Sequence, residues 1–178
     1  MIIDERWNGG GQIPNRFIEL LNRPVTNYWA TRGSQDIHWP PDSHQGPKCM
    51  LINENAGSGG DAFPAYFRQA GLGKLIGKRT WGGLVGLSGN PRLADNGSLT
   101  VPTFGFYARE GHWSIEGYGV APDIEVMDDP SLMTTGGDPQ LDAAIEHMMA
   151  EVESSPFVQP KRPEFPNRSG AGIDEANQ

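Results

Sequence analysis

The sequence predicts an α/β fold with a mainly parallel sheet and an added β segment. Three observations predict it. Two strand–glycine-turn–helix units follow one another, "MIID" into "WNGGGQ" and "KCMLIN" into "AGSGGD". A third strand-like run, "LGKLIGKRT", comes next. From Arg92 to Val126 the composition is then β-rich. Consecutive strand–turn–helix units imply parallel strands joined by right-handed crossovers.

"MIID" is the first buried strand and "WNGGGQ" its turn. Ile13, Phe17, Leu20 and Leu21 then recur at helical spacing, and Pro24 stops that helix. Residues 24 to 47 carry four prolines among polar residues and predict a long surface excursion. "KCMLIN" is the second strand, and Phe63, Tyr66, Phe67 and Ala70 mark one face of the helix after its turn, ended by Gly71. "WGGLVG" predicts a flexible loop, and Asn96-Gly97 a turn between β-rich flanks. In "GGDPQLDAAIEHMMAEV", Asp138 caps, Pro139 opens, and Leu141, Ala144, Ile145, Met148, Met149 and Val152 form an apolar stripe. Residues 155–178, with four prolines, predict a disordered tail or tether. The start, "MIIDERW", has no cap or leading turn and predicts a chain that begins inside something larger.

Composition narrows the function classes. With 178 residues the chain can bury a core as one domain plus an appendage; 24 Gly and 15 Pro make it loop-rich. A net charge of −8 argues against a nucleic-acid partner, and no run is long enough to predict a membrane span. One cysteine, Cys49, inside the apolar "CMLI", rules out a disulfide framework and predicts a buried, inert thiol. His38, His44, His112 and His147 form no dense metal pattern, so no metal and no organic cofactor is implied. The spacing of GxGxxG and the Walker framework are both absent.

Ser58 has two readings. Ser58-Gly59-Gly60-Asp61 fits a capping box, whose loss costs about 1 kcal/mol. Pro64 opposes a regular helix capped by Ser58, because at the sixth position its missing N–H and ring clash cost about 3 kcal/mol. A helix capped by Asp61 puts Pro64 at the third position, where the N–H is an orphan, and releases Ser58 into the turn. A distorted first turn reconciles the two. In a parallel sheet both glycine turns emerge at the carboxyl edge. There Ser58 would be a nucleophile, with Gly59 and either Gly10 or Gly11 donating N–H groups to an oxyanion. Gly57, Gly59 and Gly60 would leave room for a substrate.

"DERWNGGG", "NENAGSGGDAF", "GLGKLIGKRTWGGLVGL", "IEGYGVAPDIEV" and "GGDPQLDAAI", in that order and spacing, resemble the carboxy-terminal catalytic subdomain of tricorn-type serine peptidases. Those peptidases are relatives of the carboxy-terminal processing proteases. The resemblance covers roughly residues 2 to 150. It implies a crotonase-like α/β superhelix, Ser58 as nucleophile, Gly59 with Gly10 or Gly11 as oxyanion hole, and Glu116 orienting the catalytic histidine through a serine hydroxyl. In that family the histidine and the orienting serine come from an upstream subdomain, so residues 1–154 would be a catalytic subdomain incomplete by itself. The family's acid for basic substrate side chains has no counterpart in "NYWATRG", and Trp29 points to a more apolar preference. Substrates would be peptides, and partners the upstream domains of the parent chain. A homo-oligomer is plausible from the family's rings. The compartment stays open between cytoplasm and periplasm.

Other readings compete. By itself Glu116 reads as a surface acid beside Gly-Tyr-Gly, and Trp81, Gly82 and Gly83 as a packed loop or a substrate channel. Asp123 reads as a turn former and His147 as a rim residue. Ser58, Asp123 or Glu116, and His147 follow the triad order of α/β-hydrolases, a rival esterase reading ranked lower because that fold places its histidine in a late loop. A non-catalytic peptide-binding or assembly module is the remaining alternative, since a serine without a base is a weak nucleophile.

Overall fold

Residues 1–12 and 15–165 are described by a computed structural model of the chain. The elements run β1 (Ile2–Asp4), α1 (Asn15–Leu21), β2 (Asn27–Trp29), β3 (Ile37–Trp39), β4 (Cys49–Ile52) and α2 (Gly59–Gln69). They continue with β5 (Lys74–Gly77), β6 (Gly86–Leu87), β7 (Pro102–Phe104), β8 (Ile124–Glu125), α3 (Pro130–Met133) and α4 (Pro139–Ser154). β1, β4, β5 and β8 form one sheet in that spatial order, every pair parallel, with Ile3 opposite Met50, Leu51 opposite Ile76, and Ile76 opposite Ile124. The α/β expectation with a mainly parallel sheet holds.

β4 is apolar and buried throughout because the sheet is covered on both faces. Side chains alternate across the pleat. Met50, Ile52 and Leu75 pack with Ala62, Phe63 and Phe67 of α2 and with Ile18 and Leu21 of α1. Cys49, Leu51 and Ile76 pack with Ala144 and Met148 of α4. Burial leaves Cys49 inert, its thiol pushed up to about 11. Arg6, just beyond β1, forks onto Asp138 at 2.9 and 2.8 Å and onto Asp4 at 3.0 and 2.8 Å. Asp138 also caps α4 through the Leu141 N–H at 3.0 Å, so one buried guanidinium fixes α4 against the carboxyl end of β1.

Several expectations change. The excursion of residues 24 to 47 contains an antiparallel hairpin, β2 with β3. The β-rich stretch from Arg92 to Val126 holds only short pairings: β6 with β7, β8 on the sheet, and bridges at Arg92–Ser98 and Tyr107–Trp113. The Asn96-Gly97 turn forms, with Asn96 at φ +64°. On α1 the inward residues are Ile18 and Leu21, while Phe17 is exposed; Ile13 lies outside the described residues. On α4 the stripe splits, with Ala144 and Met148 buried but Ile145, Met149 and Val152 half exposed. Of the tail, residues 156–165 have no regular secondary structure, and residues 166–178 lie outside the described residues.

The division of faces makes a stability prediction. Phe67→Ala, which empties the space between α2 and the sheet, is expected to cost about 3–5 kcal/mol in urea denaturation. Ile145→Ser, on the uncovered flank of α4, is expected to cost less than about 1 kcal/mol.

Candidate active site

The turns after β1 and β4 leave the same edge of the sheet and touch. The Gly57 N–H donates to the Asn8 carbonyl at 2.9 Å. A Cβ on Gly10 would stand 2.5 Å from the Ser58 Cβ, and one on Gly60 would stand 2.1 Å from the Asn8 oxygen. A Cβ on Gly59 would meet Gly11 N at 3.2 Å. The glycines around Ser58 therefore let one turn pack on the other; the expectation that all of them open space for a substrate is corrected. Gly9 and Gly11 face open space, Gly11 at φ +123°.

α2 begins at Gly59, with Ser58 at its N-cap and Pro64 inside the helix. The expected start at Asp61 is wrong, because Pro64 is buried in the packed face and its burial outweighs one missing hydrogen bond. Ser58 sits at φ +56°, ψ −114°, a strained conformation for a residue with a Cβ. The Asp61 N–H goes to the Ser58 carbonyl at 2.9 Å, and Ser58 with Asp61 makes up a capping box in which the serine hydroxyl acts only as an acceptor. Among the described residues the Ser58 hydroxyl donates to no acceptor, and the N–H groups of Gly59 and Gly11 have no hydrogen-bond partner. The Gly10 N–H is committed to the Asn8 Oδ1 at 2.9 Å.

Asp61 is wholly buried and uses both oxygens. Oδ2 accepts the Ser58 N–H at 2.8 Å and Oδ1 the Gly82 N–H at 2.7 Å. Gly82 so brings in the third loop. The Trp81 N–H donates to the Ala56 carbonyl at 2.8 Å, and its indole lies against Gly57 and Gly83, where a Cβ would come within 2.5 and 2.3 Å of the ring. Trp81 is 69% exposed, a wall beside the Ser58 turn. Gly82, at φ +84°, packs on the backbone of Tyr118 and Gly119.

Glu116 belongs to the same assembly. Its Oε2 accepts the N–H groups of Leu84 and Val85, each at 2.7 Å, and the Gly117 N–H returns to the Gly82 carbonyl at 2.8 Å. Ile115, buried and β-branched, is held at φ +72° beside it. Glu116 also borders a cavity of about 460 Å³ lined by Val85, Phe104, Phe106 and Trp113. Ser58, Gly59, Gly10, Gly11, Trp81, Gly82, Gly83 and Glu116 are thus connected through backbone contacts and two carboxylates. Asp123 and His147 are elsewhere. They line a cavity of about 450 Å³ with Lys48 and Lys74, at the amino ends of β4 and β5, so the rival triad falls apart.

Sequence reasoning missed Asn8 and Glu5. Asn8 Nδ2 donates to Glu5 Oε1 at 2.6 Å while its Oδ1 holds Gly10, an Asx turn that Asn before glycine signals. Glu5 is buried, and that burial raises its carboxyl to about 7 against the opposing pull of the Asn8 amide. Nothing in the spacing of "DERW" marks it out.

The model of the family described as Peptidase family S41 matches residues 1–126. Tricorn protease of Thermoplasma acidophilum is 40% identical over 163 residues, 92% of this chain and 15% of that protein. Tricorn protease homolog 1 of Streptomyces coelicolor is 36% identical over 160 residues, 90% of this chain and 15% of that protein. The crystal structure of the tricorn protease superposes with a TM-score of 0.78 at 41% identity, over 85% of this chain and 15% of that one. The chain therefore spans about 15% of the length of these relatives.

Two outcomes follow from the buried acids. Asp61→Asn turns one acceptor into a donor facing an N–H, and is expected to cost about 3 kcal/mol in chemical denaturation. Glu5 stays protonated in the folded chain up to about 7 but ionises near its ordinary value of 4.5 when unfolded, so it lowers stability as pH rises through that window. Glu5→Gln is expected to remove on the order of 2 kcal/mol of that decline, read as the wild-type-minus-variant stability between about pH 5 and about pH 7.5.

Proposed function

The chain belongs to peptidase family S41, and on that premise we propose that it is the nucleophile-bearing catalytic subdomain of a tricorn-type serine endopeptidase that hydrolyses peptide bonds. One observation carries the reading: among the described residues the strained Ser58 has a hydroxyl that donates to no acceptor, and the N–H groups of Gly59 and Gly11 have no partner.

In the proposed reaction the Ser58 Oγ attacks the scissile carbonyl carbon, and a histidine from outside this chain takes the hydroxyl proton. The carbonyl oxygen becomes an oxyanion between Gly59 at the amino end of α2 and Gly11. What favours Gly11 over Gly10 as second donor is the bond of the Gly10 N–H to Asn8. Collapse expels the amine, which receives the proton from the histidine, and water then releases the acyl group from Ser58. Glu116 is the group that holds the relay in orientation. Its Oε2 is fixed by the two N–H groups, which leaves Oε1 for a serine hydroxyl. Trp81 serves as a wall for the peptide on the Gly57 side. Substrates are peptides, and the partners are the domains of a longer parent chain that supply histidine and serine.

No histidine of this chain bonds the Ser58 hydroxyl among the described residues. The isolated chain is therefore expected to hydrolyse no peptide. In the intact parent, Ser58→Ala is expected to lower kcat by at least about 10³-fold with little change in KM, while His147→Ala leaves both unchanged. Steady-state kinetics on both variants checks this. Robust turnover by the purified chain, or a Ser58→Ala parent as active as wild type, overturns the reading.

A further inference from the structure

We propose that the β2–β3 hairpin carries a binding site for the arginine side chain of an extended, proline-bearing peptide, and that the chain's own segment Pro160–Phe165 is its resident ligand. The site uses none of the residues assigned to peptide hydrolysis.

Its centre is Asp36, immediately before β3, whose side chain is only 12% exposed. A carboxylate shielded in this way is favoured by a paired cation, which itself supplies part of the shielding. Arg162, 126 residues away in the sequence, provides one. Its Nε donates to Asp36 Oδ2 at 3.1 Å, its Nη2 donates to Oδ1, and the same Nη2 reaches the Thr31 carbonyl at 3.3 Å. This fork, two parallel bonds to a carboxylate and a third to a carbonyl, matches a planar guanidinium and not the point charge of a lysine. The pair holds the Asp36 carboxyl below its usual range.

The rest of the segment does not dock. From Pro156 to Phe165 only Arg162 is partly shielded from solvent, and Phe165 is 79% exposed. Unfilled space of about 320 Å³ lies between segment Pro160–Phe165 and Tyr28, Ala30 and Asp36, and space of about 560 Å³ is lined by Thr31 and Gly33 with Arg162 and Phe165. A single side chain is thus the latch, and the surroundings leave room for an exchanging ligand. "PKRPEFP" repeats proline every third residue, the period of a polyproline II helix. Such a segment is extended before binding and loses little backbone freedom on docking. On the hairpin side, pleat alternation gives Tyr28 to this site and turns Trp29, Ile37 and Trp39 the other way, where they are exposed.

The test is nuclear magnetic resonance on the full chain. In wild type the Arg162 Nε–H is expected to give a slowly exchanging cross-peak, lost in Asp36→Asn. In Arg162→Ala the amides of residues 27 to 39 are expected to shift. Adding the blocked hexapeptide PKRPEF at millimolar concentration should return them saturably toward their wild-type positions. The same peptide with citrulline for arginine, equal in shape but uncharged, is expected to bind at least about tenfold more weakly. Wild type, with the site filled, should likewise need at least about tenfold more peptide than Arg162→Ala. The proposal is overturned if the hexapeptide leaves the hairpin amides unmoved, if citrulline serves equally well, or if the Nε–H peak survives Asp36→Asn. The citrulline peptide changes no residue of the protein, so a folding defect in either variant cannot mimic its result.

Discussion

A single buried carboxylate, that of Asp61, determines where Ser58 stands. An acid in the first turn of a helix ordinarily faces water and adds a few tenths of a kcal/mol to about 1 kcal/mol by its charge against the helix dipole. Asp61 instead faces inward, and each of its oxygens holds the backbone N–H of a different loop. The bond to Ser58 satisfies a donor that a left-handed backbone would otherwise leave buried, and so supports φ +56° at a residue with a side chain. The bond to Gly82 draws the Trp81 loop onto the same turn. Because these bonds are charge-assisted and shielded from water, each is stronger than a neutral counterpart on the surface.

The Trp81 loop is then held from its far side by Glu116, which takes the next two free N–H groups, at Leu84 and Val85. Two acids grip five residues of loop, and the strained turn at Ile115 is the conformation that lets the second one reach. Arg6 extends the same logic below the site, since it ties Asp4 at the end of β1 to the cap of α4. The site thus rests on irregular backbone whose polar groups are satisfied by side chains rather than by a ladder.

How much of this the sequence revealed depends on the physics behind each feature. The sheet and α2 were legible because burial on two faces demands the near-continuous apolar run of "CMLI" and because helical period marks Phe63 and Phe67. Contact between the two glycine turns was legible from topology alone. Local rules failed where tertiary packing outweighed them. The rule for Pro64 moved the helix start to Asp61, yet burial of that ring keeps it inside α2. The half-exposed flank of α4 satisfies the same periodicity as a covered one, so Met149 and Ala144 looked alike. The β2–β3 hairpin was hidden because its strands are three residues each and carry no tight-turn dipeptide. The reading of Asp61 as N-cap gave way to Ser58, with one Asp61 oxygen completing the capping box; the other depends on a loop 21 residues away.

A native interior leaves few polar groups without partners, so the exceptions in one place carry information. Around Ser58 the groups divide cleanly. Asp61 uses both oxygens, Asn8 uses both ends of its amide, and the Oδ1 of Asn53 takes the N–H groups of Trp7 and Asn55 at 3.1 and 3.2 Å. Asp61 and Asn8 have nothing left to offer a ligand and are scaffold; Asn53 keeps a buried Nδ2 without a partner among the described residues. The Ser58 hydroxyl donates to no acceptor and the N–H groups of Gly59 and Gly11 have no partner among the described residues. Two of these are donors on backbone, one of them at the positive end of a helix, and the third is the hydroxyl proposed as the nucleophile. In the proposed reaction the oxygen of a substrate whose carbonyl carbon meets the hydroxyl would lie between the two donors. That is the arrangement which stabilises charge developing during acyl transfer without any motion of the protein at the moment of reaction.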